Sequence, residues 1–599
     1  MNIKAFYAGK SFDSYKYLGC HVVEHGAIFR TYAPNASRVT IIGEFNGWQE
    51  TEMYRCEDQN FWECHIYHAY AGMMYKYKIY DKYGNCTEHC DPYGYGMELR
   101  PNWASIIRNE SLYEFHDQTW MKRRSVGKGK AINIYEMHLG SWIKNNSRFH
   151  GWFTYREIAE ELSNYLAENG YNYVEIMPVQ EHPLDNSWGY QGTGYFSPTS
   201  RYGTMDDLKY FVDLMHQRDI GVILDFVPVH FAVDWYGLAR YDGEPLYEYP
   251  YQDIEYSEWG SKNFNHARGE VRSFLQSSAN YWISEYHFDG IRIDALSNII
   301  YWQGNRDRGE NTAAVEFVKN MNRGLKRLHP SVMLIAEDST AYPYVTKPVK
   351  EGGLGFDYKW DMGWMHDTLE YFCLPPEKRT EHYHKLTFSM YYFYAEQFLL
   401  PFSHDEVVHG KGTIIQKMHG EYEEKFAQAR ALYMYMYAHP GKKLNFMGNE
   451  IAHFREWDER REQDWNLLEF QKHREFMSFM RDLNKYYLKT SAFSKYDYDR
   501  EGFLWLDCHQ EDKCVYVFKR MARKQTVIAA FNFSNEIKEY DLHLDDSFVS
   551  LMTRFSSDWD IYGGAHEKKM QKVLPDAYGV VRLSLAPYSG VFYETKRKN

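Results

Sequence analysis

The sequence predicts an α/β protein: a (β/α)8 barrel flanked by an N-terminal and a C-terminal β-sandwich. Three observations predict it. The chain has 599 residues, too many for one hydrophobic core, because cores stop growing at roughly 250–300 residues. Eight short buried-strand runs in the middle alternate with longer amphipathic stretches, the pattern of parallel strands covered by helices. Toward both ends, short alternating runs broken by turn residues point to half-buried strands.

Residues 1–115 are expected to form the first sandwich. Ala27-Ile28-Phe29-Arg30-Thr31-Tyr32 and Tyr75-Lys76-Tyr77-Lys78-Ile79-Tyr80 alternate as strands do, and Phe45-Asn46-Gly47-Trp48 reads as a turn carrying an aromatic. A basic, glycine-containing stretch within 116–130, Lys122 to Lys130, reads as a solvated linker. From 131 to 490 the expected barrel strands are Ile132–Leu139, Tyr173–Pro178, Gly221–Asp225, Phe288–Asp294, Val332–Glu337, Phe356–Asp361, Phe398–Phe402 and Lys443–Met447. Helical periodicity fills the gaps, as in Asp206–Arg218, Glu270–Ser284, Ala313–Leu328 and Lys425–Tyr437. The stretch 229–268 after the third strand is too long for an ordinary βα connection and reads as a functional excursion. Residues 491–599 return to short strands, from Gly502-Phe503-Leu504-Trp505-Leu506 to Gly590-Val591-Phe592-Tyr593-Glu594.

Composition narrows the function. With 44% hydrophobic and 18% aromatic residues, global disorder is excluded. Mean hydropathy is −0.64, and there is no apolar run of the ~18–20 residues that a membrane span needs. Met1 to Gly19 lacks the apolar core of a secretory signal, so a cytoplasmic protein is expected. A net charge of −13 disfavours a nucleic-acid partner, which needs a basic footprint. It suits a neutral ligand, and the 54 tyrosines fit a sugar, whose ring packs on flat faces that also carry a hydroxyl. Eight cysteines are far below a disulfide scaffold. Cys86 and Cys90 have no second pair at zinc-ribbon spacing, so reduced thiols and no metal are expected. No glycine-rich phosphate loop is visible, so no redox or nucleotide cofactor is expected.

In a barrel, reactive groups stand at the carboxyl ends of strands. Four predicted strands end in charge. The third carries Asp225, with His230 just beyond. The fourth alternates so that Arg292 and Asp294 share a face. The fifth ends in Glu337. The seventh runs into His404 and Asp405. Singly, each acid reads as a turn or helix cap. Together they point to use, because charge on the rim of a buried sheet is costly unless paired or working.

These segments resemble the four signature regions of the α-amylase family of retaining glycoside enzymes, and within it the glucan branching enzymes. The closer likeness is carried by Ile134-Tyr135-Glu136-Met137-His138-Leu139-Gly140-Ser141-Trp142, Ser187-Trp188-Gly189-Tyr190-Gln191-Gly192-Thr193-Gly194-Tyr195 and Tyr358 to Leu369. His404 to Lys411, Phe446-Met447-Gly448-Asn449-Glu450 and Arg455-Glu456-Trp457 add to it. The resemblance implies that Asp294 is the nucleophile, Glu337 the acid and then base, and Asp405 a third carboxylate gripping the reacting sugar. It implies that Arg292 keeps Asp294 ionised, while a drier site with negative neighbours keeps Glu337 protonated. His230 and His404 would donate to sugar hydroxyls, Asp225 would orient, and Tyr190 would stack under the reacting ring. The two acids would stand the ~5–5.5 Å apart that double displacement needs. The implied ligand is an α-1,4-glucan such as glycogen or amylose, the first domain resembles glucan-binding modules through Trp48 and Trp62, and a monomer is expected.

Two departures stand out. Gly192 replaces the usual Pro and is expected to loosen the loop bearing Tyr190. Asp338 replaces a second Glu. The four signature regions also fit an α-glucan hydrolase; the wider likeness favours transfer to a glucan 6-hydroxyl, making an α-1,6 branch.

Overall fold

The computed structural model describes residues 1–109, 113–543 and 548–597. Eight barrel strands lie where the buried runs predict them. They are β1 (Asn133–Met137), β2 (Tyr173–Ile176), β3 (Gly221–Phe226), β4 (Gly290–Ile293), β5 (Met333–Ala336), β6 (Tyr358–Trp360), β7 (Phe398–Phe402) and β8 (Lys442–Phe446). Their order is that of a closed barrel. Each is buried along its length, which is why these strands read as continuous rather than alternating apolar runs. The four amphipathic stretches form helices over Met205–Gln217, Gly269–Tyr286, Thr312–Leu328 and Tyr422–Ala438.

The chain divides into two compact units. One comprises Met1–Ser125, His138–Ser163 and Glu175–Asp357. It opens with two antiparallel sheets. Strand Met74–Tyr80 turns Tyr75, Tyr77 and Ile79 inward, and Phe29 and Ile41 join that core. Trp62 is core as well, its indole N–H donating to the Ala33 carbonyl at 3.0 Å. Trp48 is 40% exposed. The same unit holds the parallel ladder β3–β4–β5, in which Asp225 pairs with Arg292 and Ile293 with Ala336. The excursion after β3 carries a short hairpin, His230–Phe231 against Lys262–Asn263.

The second unit comprises Val126–Met137, Asn164–Val174 and Tyr358–Asn599. It holds the parallel ladder β6–β7–β8–β1. Its C-terminal strands form a six-stranded and a two-stranded sheet, closed over Val515, Val517, Ile528, Leu542, Leu551, Leu583 and Leu585.

In the basic stretch 122–130, Lys122, Arg123, Lys128 and Lys130 are exposed as expected, and Arg124 departs from that state. Lys122 and Arg123 finish a helix over Gln118–Arg123. The Arg124 side chain is 6% exposed and donates to Ser331 Oγ and the Phe288 carbonyl. The carbonyls of Lys128 and Lys130 accept from the buried Lys442 ammonium at 2.9 and 2.7 Å. Buried cations need such partners, and this stretch supplies and receives them.

Candidate active site

In the first unit the strand ends converge on one guanidinium. The ladder register sets Arg292 directly beside Asp225. Hydrogen bonds beyond the strands, Asp294 N to the Phe226 carbonyl and Glu337 N to the Ile293 carbonyl, both 3.1 Å, carry Asp294 and Glu337 to the carboxyl ends of β4 and β5. Arg292 is fully buried. Its Nη1 donates to both Asp225 oxygens at 2.7 Å and to Asp294 Oδ1 at 2.9 Å. Its Nη2 lies 3.1 Å from Glu337 Oε2. Burial alone would lower the Arg292 pKa, but Asp225, Tyr190, Glu337 and Asp294 together push it well up. The cation is therefore permanent, and three carboxylates share it.

Glu337 does not stand among negative neighbours only. Besides the guanidinium, its Oε2 accepts the Ala295 N–H at 2.7 Å. Ala295 holds a left-handed backbone, φ 44° and ψ 50°, which costs a non-glycine residue roughly 1–2 kcal/mol. That turn aims the amide beside the Asp294 side chain at Glu337. Asp294 and Glu337 keep side-chain exposures of 14% and 17%, against 1% for Asp225. The first two are partly open to solvent; the third is sealed.

Tyr190 is held by its hydroxyl, which donates to Asp225 Oδ2 at 2.5 Å. In its loop the Ala232 N–H donates to the Gly192 carbonyl at 3.1 Å. The His230 ring is buried, packs 5.2 Å from Trp259, and leaves Nδ1 without a hydrogen-bond partner among the described residues. Burial pushes its pKa down to about 4, so it is a neutral imidazole at pH 7 with a nitrogen to offer. Asp338 caps a local turn, accepting from the Thr340 N–H and hydroxyl at 3.0 and 2.8 Å.

In the second unit His404 and Asp405 follow β7. His404 Nδ1 lies 2.6 Å from Glu136 Oε1, and its backbone N–H donates to Glu136 Oε2 at 3.0 Å. Glu136, on β1 and 1% exposed, thereby fixes the ring and leaves Nε2 3.4 Å from Asp405 Oδ1. Asp405 is 38% exposed. The neighbouring Glu406 is buried and held by Lys411 at 3.1 Å and His366 at 3.6 Å. Burial alone would raise the Glu406 pKa, but His366 and Lys411 overcome it, to about 2.

Sequence reasoning assigned no role to Glu136 or Glu450. Glu450 accepts from Tyr135 and Tyr165, both at 2.7 Å, and burial raises its pKa. A charged residue inside a predicted buried strand was the available signal for Glu136.

Comparison with known proteins adds three domain families. The Carbohydrate-binding module 48 (Isoamylase N-terminal domain) family matches residues 17–94, the Alpha amylase catalytic domain residues 145–259, and the Alpha amylase C-terminal all-beta domain residues 505–596. The catalytic-domain match ends before Asp294 and Glu337, so full-length likeness matters more. A 1,4-alpha-glucan branching enzyme GlgB of Fusobacterium nucleatum is 43% identical over 99% of this chain and 98% of its own. Those of Geobacillus stearothermophilus and Bacillus subtilis are each 43% identical over 94% of this chain, and over 90% and 91% of their own. Among solved structures, the catalytic module of the glycogen-degrading pneumococcal virulence factor SpuA matches with a TM-score of 0.74 at 14% identity, covering 97% of both chains. A pullulanase from Anoxybacillus sp. LM18-11, complexed with maltotetraose, matches at 0.73 and 17% identity, over 99% of this chain and 89% of its own. At such identities the structural likeness speaks for the fold alone.

Proposed function

The chain belongs to the 1,4-alpha-glucan branching enzymes of the alpha-amylase family, and we propose that Asp294 and Glu337 carry its chemistry. It is a transferase. It cuts an α-1,4 bond of a linear α-glucan and joins the released chain to a glucan 6-hydroxyl as an α-1,6 branch. The observation that supports the assignment is the buried guanidinium of Arg292, shared by Asp225, Asp294 and Glu337.

In the first step an Asp294 carboxylate oxygen attacks C1 of the donor sugar. The C1–O4 bond breaks, and the proton on Glu337 passes to O4 of the departing chain. In the second step Glu337, now a carboxylate, takes the proton of the acceptor 6-hydroxyl. That oxygen attacks C1 and the Asp294 ester bond breaks. Two inversions retain the α-configuration. Arg292 is always charged and keeps Asp294 ionised between turnovers. Asp225 anchors Arg292 and, through Tyr190, the loop that stacks beneath the reacting ring. His230 and His404 donate to sugar hydroxyls, and Asp405 grips the hydroxyls of the distorted sugar. Glu136 acts through His404 as a positioning residue.

The carbohydrate-binding module takes up glycogen or amylose, and the enzyme works as a monomer in the cytoplasm. Among the described residues no helix is long and apolar enough to cross a membrane.

The test is amylose incubated with the purified enzyme. Iodine absorbance should fall while reducing ends stay nearly constant, and debranching should release the transferred chains. Rapid release of reducing ends would instead mark a hydrolase.

A further inference from the structure

We propose that a cavity in the first unit, lined by Lys16, Arg108 and Lys209, binds the phosphate group of a small phosphate ester. The cavity shares no residue with the site built on Arg292. Its ligand is an anion rather than a glucan, so the inference stands apart from the branching reaction.

Segments far apart in the chain meet here. Lys16 ends a short turn near the N-terminus, Arg108 follows strand Ser105–Ile106, and Lys209 lies on helix Met205–Gln217. Tyrosines make a fixed wall between them. Tyr95 stacks on the buried Tyr281 at 5.4 Å with an interplanar angle of 5°, and Tyr15 meets Tyr281 edge-on at 5.1 Å. Their hydroxyls are satisfied. Tyr95 donates to the Tyr15 carbonyl at 2.6 Å, Tyr15 donates to Glu285 Oε1 at 2.9 Å, and Tyr281 shares a bond with Tyr286 at 3.2 Å. The wall is therefore preorganised, and what it leaves unsatisfied is charge.

Lys209 is 6% exposed. Its ammonium lies 5.4 Å from the Tyr286 ring, and among the described residues it has neither a hydrogen-bond acceptor nor a carboxylate at ion-pair distance. The half-buried Arg108 guanidinium is in the same position. Burial pushes the pKa of both down, and Asp206, Glu285 and Tyr286 offset only part of that. Other buried cations of this chain are paired, Lys442 with Asp497 at 2.8 Å and Arg292 with Asp225 at 2.7 Å. A buried cation is costly until an anion completes it. Lys16 adds a third positive group, and Glu285 is the one carboxylate of the lining among the described residues, so the cavity is positive in a chain of net charge −13. A phosphate monoester carries about −1.5 to −2 at pH 7 and offers three strong acceptor oxygens, which suit three cations. The cavity holds about 480 Å³. That exceeds a phosphate ion and falls within the roughly 300–1,000 Å³ of small-ligand sites, which leaves room for the esterified group.

The test is calorimetric titration of the full chain with inorganic phosphate at constant ionic strength. Binding should be saturable. Lys209→Met and Arg108→Gln should each weaken it about tenfold or more, and Lys209→Arg should keep most of it. Melting curves establish that each variant is folded. Glucose 6-phosphate and adenosine monophosphate separate two sources of the phosphate group, and the one that displaces inorganic phosphate at lower concentration identifies the ligand class. Unchanged phosphate binding in a folded Lys209→Met/Arg108→Gln variant overturns the proposal. So does a parent that takes up no phosphate at millimolar concentration. Displacement by neither ester, or displacement by neutral maltose, overturns it as well.

Discussion

One short segment, Phe288 to Asp294, carries an acid near each end, and the two ends are built to opposite rules. Before β4, Asp289 accepts from Trp120 Nε1 at 2.8 Å, His216 Nε2 at 2.8 Å and the Val222 N–H at 2.7 Å, and its side chain is 1% exposed. His216 turns its other nitrogen to Asp117 at 2.8 Å. After β4, Asp294 accepts from a shared guanidinium and keeps an open side. Asp289 is closed off on every side; Asp294 is held on one side and left open on the other. This is the division expected between the bottom and top faces of a barrel.

Asp294→Asn tests the end after β4. Turnover on amylose should fall about 10⁴-fold or more, while the unfolding midpoint stays level or rises, because active sites hold strained charge. A large fall in stability would make Asp294 structural.

The converse is Asp289→Asn. Here His216, Trp120 and the Val222 amide lose a charged acceptor, and stability should drop by about 3–5 kcal/mol. Turnover per folded molecule, measured well below the midpoint, should persist.

The same lower network makes a pH prediction. Burial alone would lower the His216 pKa, but Asp289 and Asp117 overcome it and push it up to about 9 from 6.5. Asp117 moves the other way, held low by His216 and His287 against burial, and Arg124 lies 3.7 Å from Asp289. A folded value above the unfolded one means that the protonated form stabilises. The contribution is complete below about 6.5 and disappears as pH climbs through about 9, a loss on the order of 3 kcal/mol. Unfolding midpoints across that range should fall in the wild type and fall less in His216→Gln.

The smallest effect tests Gly192. Its φ is outside the left-handed region, and an added Cβ would meet the Tyr195 ring at 3.5 and 3.7 Å and the Glu181 carbonyl at 3.8 Å, ordinary contacts. Gly192→Ala should stabilise by about 0.4–1 kcal/mol through the unfolded chain, read from urea midpoints. A loss would show that the loop needs glycine after all.

Much of the architecture was readable in advance because a doubly covered parallel strand leaves an uninterrupted apolar run. All eight runs became strands. Strand-end acids such as Asp225, Asp294 and Glu337 were visible as charge closing such runs. What stayed hidden depends on register. Nothing local tells that Glu136, on one strand, lies beneath His404, which follows another. Trp48 and Trp62 looked alike in sequence, yet one faces water and the other the Ala33 carbonyl. Arg124 sat in a run of charges that suggested solvent, although its partners, Ser331 and the Phe288 carbonyl, lie far along the chain.

The three-way hold on Arg292 has a consequence for titration. Asp294 and Glu337 do not exchange protons independently, because both stand against one cation. The rising and falling limbs of an activity–pH curve therefore belong to the pair as macroscopic constants. Neutralising a single member should displace both limbs together, rather than erase one and spare the other.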